Sequence, residues 1–301
     1  MKLESAPTVV PATGQTRSFE NLDEELAAHI KRTVRAQRAD RVKIVTWQVV
    51  LLVVGLAGWE ILTRVPWFVA NTIMDPFFVS RPSLIGANLY AWTLGDRRGF
   101  LWPHLFSTVL ATLVGLVVAV TTGFLAGLVL SQKRMLAATL SPYIVGANSL
   151  PRIAFVPLVT MIFGLGLMSK VVTAWFIVFF LVFFNTFKGG IAIEQHIIDF
   201  CRTLGATDRQ ITRTVRIPNA LAWAFASLPN AVAFSLIGVV ISEFVGSDTG
   251  MGYLIITSLS TLNAAEMWSS IVVLSATGIF LVMLFAAIER RLLRWSPEFR
   301  E

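Results

Sequence analysis

Six long apolar stretches constrain the fold of this chain more than any other feature of its sequence. A helix needs about 20 mostly apolar residues to cross a bilayer. The composition agrees, because 55% of the 301 residues are hydrophobic and only 14% are charged, with a mean hydropathy of +0.70. We therefore predict an all-α polytopic membrane protein whose six spans lie near residues 44–63, 104–130, 136–164, 170–187, 219–245 and 267–288.

The third predicted span contains three prolines, Pro142, Pro151 and Pro157. Proline removes a backbone donor and clashes with the preceding turn, so it bends or breaks a helix. Within a bilayer, the freed carbonyls need partners from neighbouring helices or from a cavity. We therefore expect this span to be kinked, and the centre of the protein to be packed or to hold a wet cavity.

Basic residues mark one side of the predicted bundle, since cytoplasmic loops collect lysine and arginine. The opposite loops are poorer in them, and segment 246–266 has none. This asymmetry predicts that both termini are cytoplasmic. The clusters on the basic side are Lys31, Arg32, Arg35, Arg38, Arg41 and Lys43; Lys133 and Arg134; Lys188, Arg202, Arg209, Arg213 and Arg216; and Arg290, Arg291 and Arg294.

The net charge of +7 does not indicate nucleic-acid binding, because the basic residues are spread over loops that flank the membrane. Anionic lipid of the inner leaflet is the partner that this distribution favours. Cys201 is the only cysteine, which excludes an internal disulfide and a thiolate metal cluster. We expect no redox chemistry and no metal.

The chain divides into a tail, a membrane domain and a short end segment, at residues 1–43, 44–295 and 296–301. Residues 1–18 are polar and have no apolar core, so we expect no cleavable signal peptide. From Asn21 to Val42 the pattern predicts an amphipathic helix. This helix either lies flat under the inner leaflet or is a solvated lead into the first span.

The residue types that catalysis requires do not form a recognisable constellation. The three histidines, His29, His104 and His196, are scattered along the chain, so their spacing predicts no zinc site or triad. The phosphate-binding glycine loop that ends in Gly-Lys-Ser/Thr is also missing. We therefore predict no catalytic residue, and any ATP must be bound by another chain.

Charged residues inside the spans are the next candidates for function, because they are costly in a bilayer. Arg152 follows Pro151 about halfway along the third span, near Asn148. It either faces a central pathway and attracts an anion, or is structural, pairing with Glu243 or reaching an interface. Glu243 is itself either a helix-packing acid or a proton relay. The aromatic run at 175–185 indicates packing and lipid contact by default, and the alternative is an aromatic-lined substrate passage.

A polar insert at residues 199–218 separates the fourth and fifth spans. A turn between two spans needs only a few residues, so this long basic insert predicts a docking surface. Its pattern predicts a helix around 194–204, a turn at Gly205, and a second helix around 207–216 that ends before Pro218.

The insert resembles the cytoplasmic signature of permease subunits of binding-protein-dependent ABC importers. That signature runs Glu-Ala-Ala, three residues, Gly, nine residues, Ile, one residue, Leu-Pro. Here the same spacing holds Asp199-Phe200-Cys201, Gly205 and Val215-Arg216-Ile217-Pro218, so the glycine and the proline match while the other positions are substituted. The likeness covers about residues 44–295. Motifs at Pro82-Ser83, Phe163-Gly164-Leu165-Gly166, Asn185-Thr186-Phe187 and Gly250-Met251-Gly252-Tyr253-Leu254 look like those of the nitrate, sulfonate, taurine and bicarbonate branch.

The resemblance implies a type I ABC importer permease fold with a cytoplasmic coupling helix, in the bacterial inner membrane. It implies a second permease copy as a homodimer, an extracytoplasmic solute-binding protein, and two ATPase subunits that bind ATP and Mg. This chain would hold no cofactor of its own. The residues that would couple to the ATPases are Asp199, Phe200, Leu204, Gly205, Ala206 and Pro218. The substrate-pathway candidates are Arg152, Asn148 and Glu243.

The resemblance to this branch implies a small anion as the solute. The alternatives are uptake of a heteroaromatic vitamin precursor by the same machinery, a stand-alone channel or secondary transporter, and a membrane-anchored enzyme. The missing catalytic constellation disfavours the enzyme.

Overall fold

The computed structural model describes residue 40 and residues 42–71 and 75–294, all in helices, turns and loops without strands. The chain divides into two units, Met1–Arg64 and Val65–Glu301. In the first unit, helix α1 (Val42–Leu62) is long and apolar enough to cross a membrane. The amphipathic helix predicted for 21–42 and the end segment 296–301 fall almost entirely outside the described residues.

The second unit contains thirteen described α-helices, which follow one another with short connections. They are α2 Pro66–Asn71, α3 Pro76–Val79, α4 Pro82–Thr93, α5 Leu101–Gln132, α6 Arg134–Ser149, α7 Val156–Phe163, α8 Leu167–Ile191, α9 Gln195–Thr203, α10 Asp208–Ile211, α11 Ile217–Ala226, α12 Leu228–Val245, α13 Met251–Ser260 and α14 Ala264–Leu292.

The number of spans agrees with the sequence prediction. Five described helices, α1, α5, α8, α12 and α14, are each long and apolar enough to cross a bilayer. A sixth crossing comes from α6 and α7 together, which meet at a bend of 76°. The prediction of about six membrane helices is thus confirmed within the described part of the chain.

The bend between α6 and α7 confirms the predicted kink in the third span. It falls at Leu150 and Pro151, where the helix stops and a short 3₁₀ turn follows. Pro142 lies inside α6 without ending it, and Pro157 occupies the first turn of α7, where a missing N–H costs nothing. One of the three prolines therefore breaks the span.

Two predicted boundaries differ from the structure. The fifth span, predicted as 219–245, is two helices, α11 and α12, that meet at Ser227, and Pro229 lies in the first turn of the second helix. Segment 246–266, predicted as a loop, contains the apolar helix α13. Proline and glycine at these junctions interrupt helices that hydropathy alone joins or overlooks.

The core of the second unit forms where α5 and α8 pack at very short distance. Gly123 and Gly127 on α5 allow this approach, because a Cβ at Gly127 would lie 2.7 Å from the Phe183 carbonyl oxygen of α8. Residues of α5, α8, α12 and α14 then surround one buried cluster, which consists of Leu116, Ala119, Val178, Val182, Ala231, Val232 and Leu281. This packing holds the elements that carry the candidate sites.

Candidate functional site

The polar insert begins within α9, which ends in a Schellman motif. The Ala206 amide donates to the Cys201 carbonyl at 3.0 Å, and the Gly205 amide donates to the Arg202 carbonyl at 2.9 Å. Gly205 adopts φ +79°, a left-handed conformation that favours glycine. The predicted helix and the predicted turn at Gly205 are both present.

The second half of the insert differs from its prediction. Helix α10 starts with a capping box between Thr207 and Gln210, but the helical backbone does not stop before Pro218. Instead, a π-helical turn at Thr212–Arg216 leads directly into α11, and the Ile217 amide donates to the Thr212 carbonyl. The wider turn shifts the hydrogen-bond register where the proline nitrogen has no proton to donate.

The exposed surface of the insert is apolar at two neighbouring positions. Phe200 on α9 is 63% exposed, and Leu204, the C-cap residue one helical turn later, is 73% exposed. Asp199 is also exposed, and its carboxylate lies 3.5 Å from the Arg202 guanidinium. Ala206 and Pro218 are half-buried. The insert therefore presents an apolar edge, Phe200 and Leu204, beside a charged pair.

A cavity of about 570 Å³ lies between α6, α8 and α12. The Arg152 guanidinium donates to the Ile177 carbonyl at 3.2 Å and to the backbone and side-chain oxygens of Asn148, and it lies 4.9 Å from the ring centre of Phe180. Its Nε is buried and has no hydrogen-bond partner among the described residues. The lining is formed by Asn148, Arg152, Ile177, Phe180, Leu181, Phe184, Asn185, Lys188 and Phe234.

The lining of this cavity is cationic as well as aromatic. Arg152 and Lys188 both face it, and no carboxylate belongs to the lining. Neither side chain forms an ion pair within the described part of the chain. The cavity therefore concentrates positive charge in an apolar setting, where a cation is costly without a partner.

A second polar centre is fully buried and pairs Lys170 at the start of α8 with Glu243 near the end of α12. The two charged atoms lie 3.1 Å apart, and the side chains are 1% and 0% exposed. Lys170 Nζ also donates to Ser107 Oγ at 2.9 Å and to the Thr249 carbonyl at 2.6 Å. Glu243 accepts two further bonds, from Thr108 Oγ1 and from the Gly252 amide, each at 2.8 Å.

The backbone closes tightly around the Glu243 carboxylate. Gly250 has φ +122°, and a Cβ there would overlap the carboxylate. A Cβ at Gly252 would lie 2.8 Å from the Glu243 Cβ. Only glycine fits at these positions, which accounts physically for the Gly-Met-Gly sequence that begins α13.

The structure thus divides the sequence-predicted site residues between three places. Arg152 and Asn148 contact each other in the cavity, whereas Glu243 lies apart and pairs with Lys170 instead of Arg152. Lys170 is not among the site residues that the sequence predicted. A signal was present, because Lys170 and Glu243 are each the single charged residue in long apolar runs, 153–187 and 217–247, and their charges are opposite.

Comparison with known proteins agrees with this architecture. The family model for the binding-protein-dependent transport system inner membrane component matches residues 119–295. A probable ABC transporter permease protein of Haemophilus influenzae is 32% identical, covering 77% of this chain and 91% of that protein. The riboflavin transport system permease protein RibX of Chloroflexus aurantiacus is 29% identical, over 80% and 90% of the two chains. The taurine transport system permease protein TauC of Escherichia coli is 26% identical, over 79% and 88%.

Among solved structures, the inward-facing MetNI methionine ABC transporter matches with a TM-score of 0.56 and 21% identity, over 64% of this chain and 95% of that one. The fold is therefore that of a type I ABC importer permease. The chain belongs to the family of inner membrane components of binding-protein-dependent transport systems, and it is an ABC importer permease subunit. In this family, ATP hydrolysis belongs to a separate subunit, and membership implies ATPase and binding-protein partners.

Proposed function

We propose that this permease carries a small anion of the nitrate, sulfonate or taurine kind past Arg152 and Asn148. The observation that carries the proposal is the cavity of about 570 Å³ in which Arg152 and Lys188 lack a carboxylate partner. An anionic solute would neutralise this charge during passage. The similarity to a permease named for taurine supports the same solute class.

A second candidate solute is a heteroaromatic vitamin precursor. The rings of Phe180 and Phe184 line the same cavity, and an aromatic solute could stack on them. The similarity to a permease named for riboflavin supports this candidate. The two candidates differ in what they require from Arg152, because a neutral ring needs no cation.

We place the permease in a bacterial inner membrane with both termini in the cytoplasm. The basic clusters that flank the spans support this orientation. The complete importer would contain a second copy of the permease, two ATPases that bind ATP and Mg, and an extracytoplasmic binding protein. The apolar side chains that α7 exposes, among them Met161 and Ile162 at 78% and 64%, support a partner copy across this face.

We assign the coupling role to the polar insert. Phe200 and Leu204 would enter a cleft of the ATPase, while Asp199 would pair with a basic residue there. Gly205 and Ala206 form the Schellman turn that ends α9, and Pro218 belongs to the π-helical junction with α11. Force from the ATPases would thereby reach α8 and α11, which flank the insert.

The substitution Arg152→Gln tests the anion proposal. The purified complex with its ATPase and binding protein is reconstituted in liposomes, and ATP-driven uptake of labelled taurine, nitrate and riboflavin is measured. Loss of one charge-assisted contact costs about 1.5–3 kcal/mol, so anion uptake should fall about tenfold or more. Arg152→Lys keeps the charge and should retain part of the uptake.

Arg98→Gln is the matched control, because it makes the same change at an exposed arginine outside the cavity. Co-purification of the ATPase reports assembly in each variant. Loss of assembly in Arg152→Gln would assign a structural role to Arg152. Anion uptake that persists in a well-assembled Arg152→Gln complex would contradict the proposal, and riboflavin uptake that survives the change would favour the second candidate.

A further inference from the structure

The buried centre around Lys170 and Glu243 joins four parts of the second unit. We call it the Lys170 network, and it consists of Ser107, Thr108, Lys170, Glu243 and the Thr249–Gly252 backbone. Ser107 and Thr108 belong to the first turns of α5, Lys170 to the first turn of α8, and Glu243 to the last turn of α12. The backbone segment leads into α13.

Every polar atom of the charged pair has a partner inside the protein. An ammonium group has three donors, and Lys170 uses all three, on Ser107 Oγ, Glu243 Oε1 and the Thr249 carbonyl. Both carboxylate oxygens of Glu243 accept, and Thr108 Oγ1 in turn accepts from the Met251 amide at 2.8 Å. Separating any of these elements would leave a buried charge without its partner, which is strongly unfavourable.

The charged pair itself leaves no room for water to replace the lost bonds. Gly250 and Gly252 bring their backbone against Glu243, and Lys170 and Glu243 are almost completely buried. His104 adds a further tie, because its Nδ1 accepts from the Gly250 amide at 3.1 Å. The network is therefore a rigid joint that solvent does not relax.

We propose that the Lys170 network stays closed throughout the transport cycle, so that the adjoining ends of α5, α8, α12 and α13 move as one block. Lys170 and Glu243 are then positioning residues for transport, and the solute does not contact them. Changes in access to the membrane faces would occur at the other ends of these helices. The proposal does not depend on which solute the permease carries.

An engineered disulfide across the network tests this directly. Ser107 Oγ and Thr249 Oγ1 lie 3.2 Å apart and belong to different elements, so Ser107→Cys/Thr249→Cys places two thiols in contact. The parent carries Cys201→Ala, which removes the only native thiol. An added copper–phenanthroline oxidant accepts the two electrons of bond formation, and a thiol-reactive polyethylene glycol reports the remaining free thiols on a gel.

The readout is ATP hydrolysis by the reconstituted complex with its binding protein, measured before and after oxidation. If the block stays closed, the crosslinked complex should hydrolyse ATP within about twofold of the reduced one, since a factor of two is a small free-energy change. Ser107→Cys alone controls for oxidation elsewhere. Hydrolysis that stops on crosslinking and returns with dithiothreitol would overturn the proposal, because it would show that the network opens.

A second set of variants distinguishes a positioning role of Lys170 and Glu243 from a direct role of their charges in transport. Lys170→Met leaves Glu243 buried without its partner, so we expect loss of the assembled complex. Lys170→Met/Glu243→Leu replaces the pair with apolar side chains of similar size, which proteins often tolerate. If the block stays closed, the complex of this double variant should assemble again, and the binding protein should stimulate its ATP hydrolysis. A double variant that assembles but has lost this stimulation would contradict a purely positioning role.

Discussion

The apolar edge of the insert offers a quantitative test of coupling. Phe200 and Leu204 are 63% and 73% exposed, so an ATPase cleft that covers them would remove most of each side chain from water. Full burial of such a side chain contributes about 1.5–3 kcal/mol, and the exposed fractions reduce this to about 1–2 kcal/mol for each residue. The double substitution to alanine should therefore weaken ATPase association by about 2–4 kcal/mol, or roughly 30- to 700-fold.

Binding of the ATPase to the permease in lipid nanodiscs, followed by biolayer interferometry, measures this loss. The thermal stability of the permease alone should hardly change, because both side chains are exposed before docking. Leu259→Ala, at a 54% exposed position on α13, is the matched control. Unchanged ATPase affinity in the Phe200→Ala/Leu204→Ala variant, with the control also unchanged, would refute the assignment of this edge to the interface.

Two further predictions concern glycines. Gly205→Ala should destabilise the end of α9 by about 1 kcal/mol, because its φ of +79° disfavours alanine while no atom lies within 4 Å of the added Cβ. Hydrogen exchange of the Ala206 amide should accelerate about fivefold, whereas Gly86→Ala, in an open helical position of α4, should not accelerate it. Gly127→Val should lower the stability of the whole unit by about 1–3 kcal/mol, because the added side chain overpacks against Phe183. Thermal unfolding in detergent measures this loss. An unchanged unfolding midpoint would contradict the close packing of α5 against α8.

The sequence was sufficient for features that depend on local signals. Apolar length predicted the six crossings, and the three prolines of the third span predicted its kink between α6 and α7. The helical pattern and the glycine predicted α9 and its turn at Gly205. Each of these depends on residues close together in the chain, where propensity and backbone geometry act directly.

The features that the sequence did not predict depend on contacts between distant segments. Lys170 and Glu243 are 73 residues apart, and their pairing emerges only when α8 and α12 pack together. The π-helical turn before Pro218 depends on how α10 continues into α11. A proline alone predicts that the helix ends there. Hydropathy also treats α11 and α12 as one span, because it does not register the junction at Ser227.

Helix α8 connects the Lys170 network, the cavity and the polar insert. Lys170 lies in its first turn, Lys188 lines the cavity near its last turn, and α9 follows after only a short connection. With 25 residues, the helix is about 38 Å long at a rise of about 1.5 Å per residue. If its first turn is held fixed, a tilt of about 10° carries the far end through roughly 6–7 Å over that length. A small angular change at a fixed pivot is then enough to move the insert by about one turn of helix.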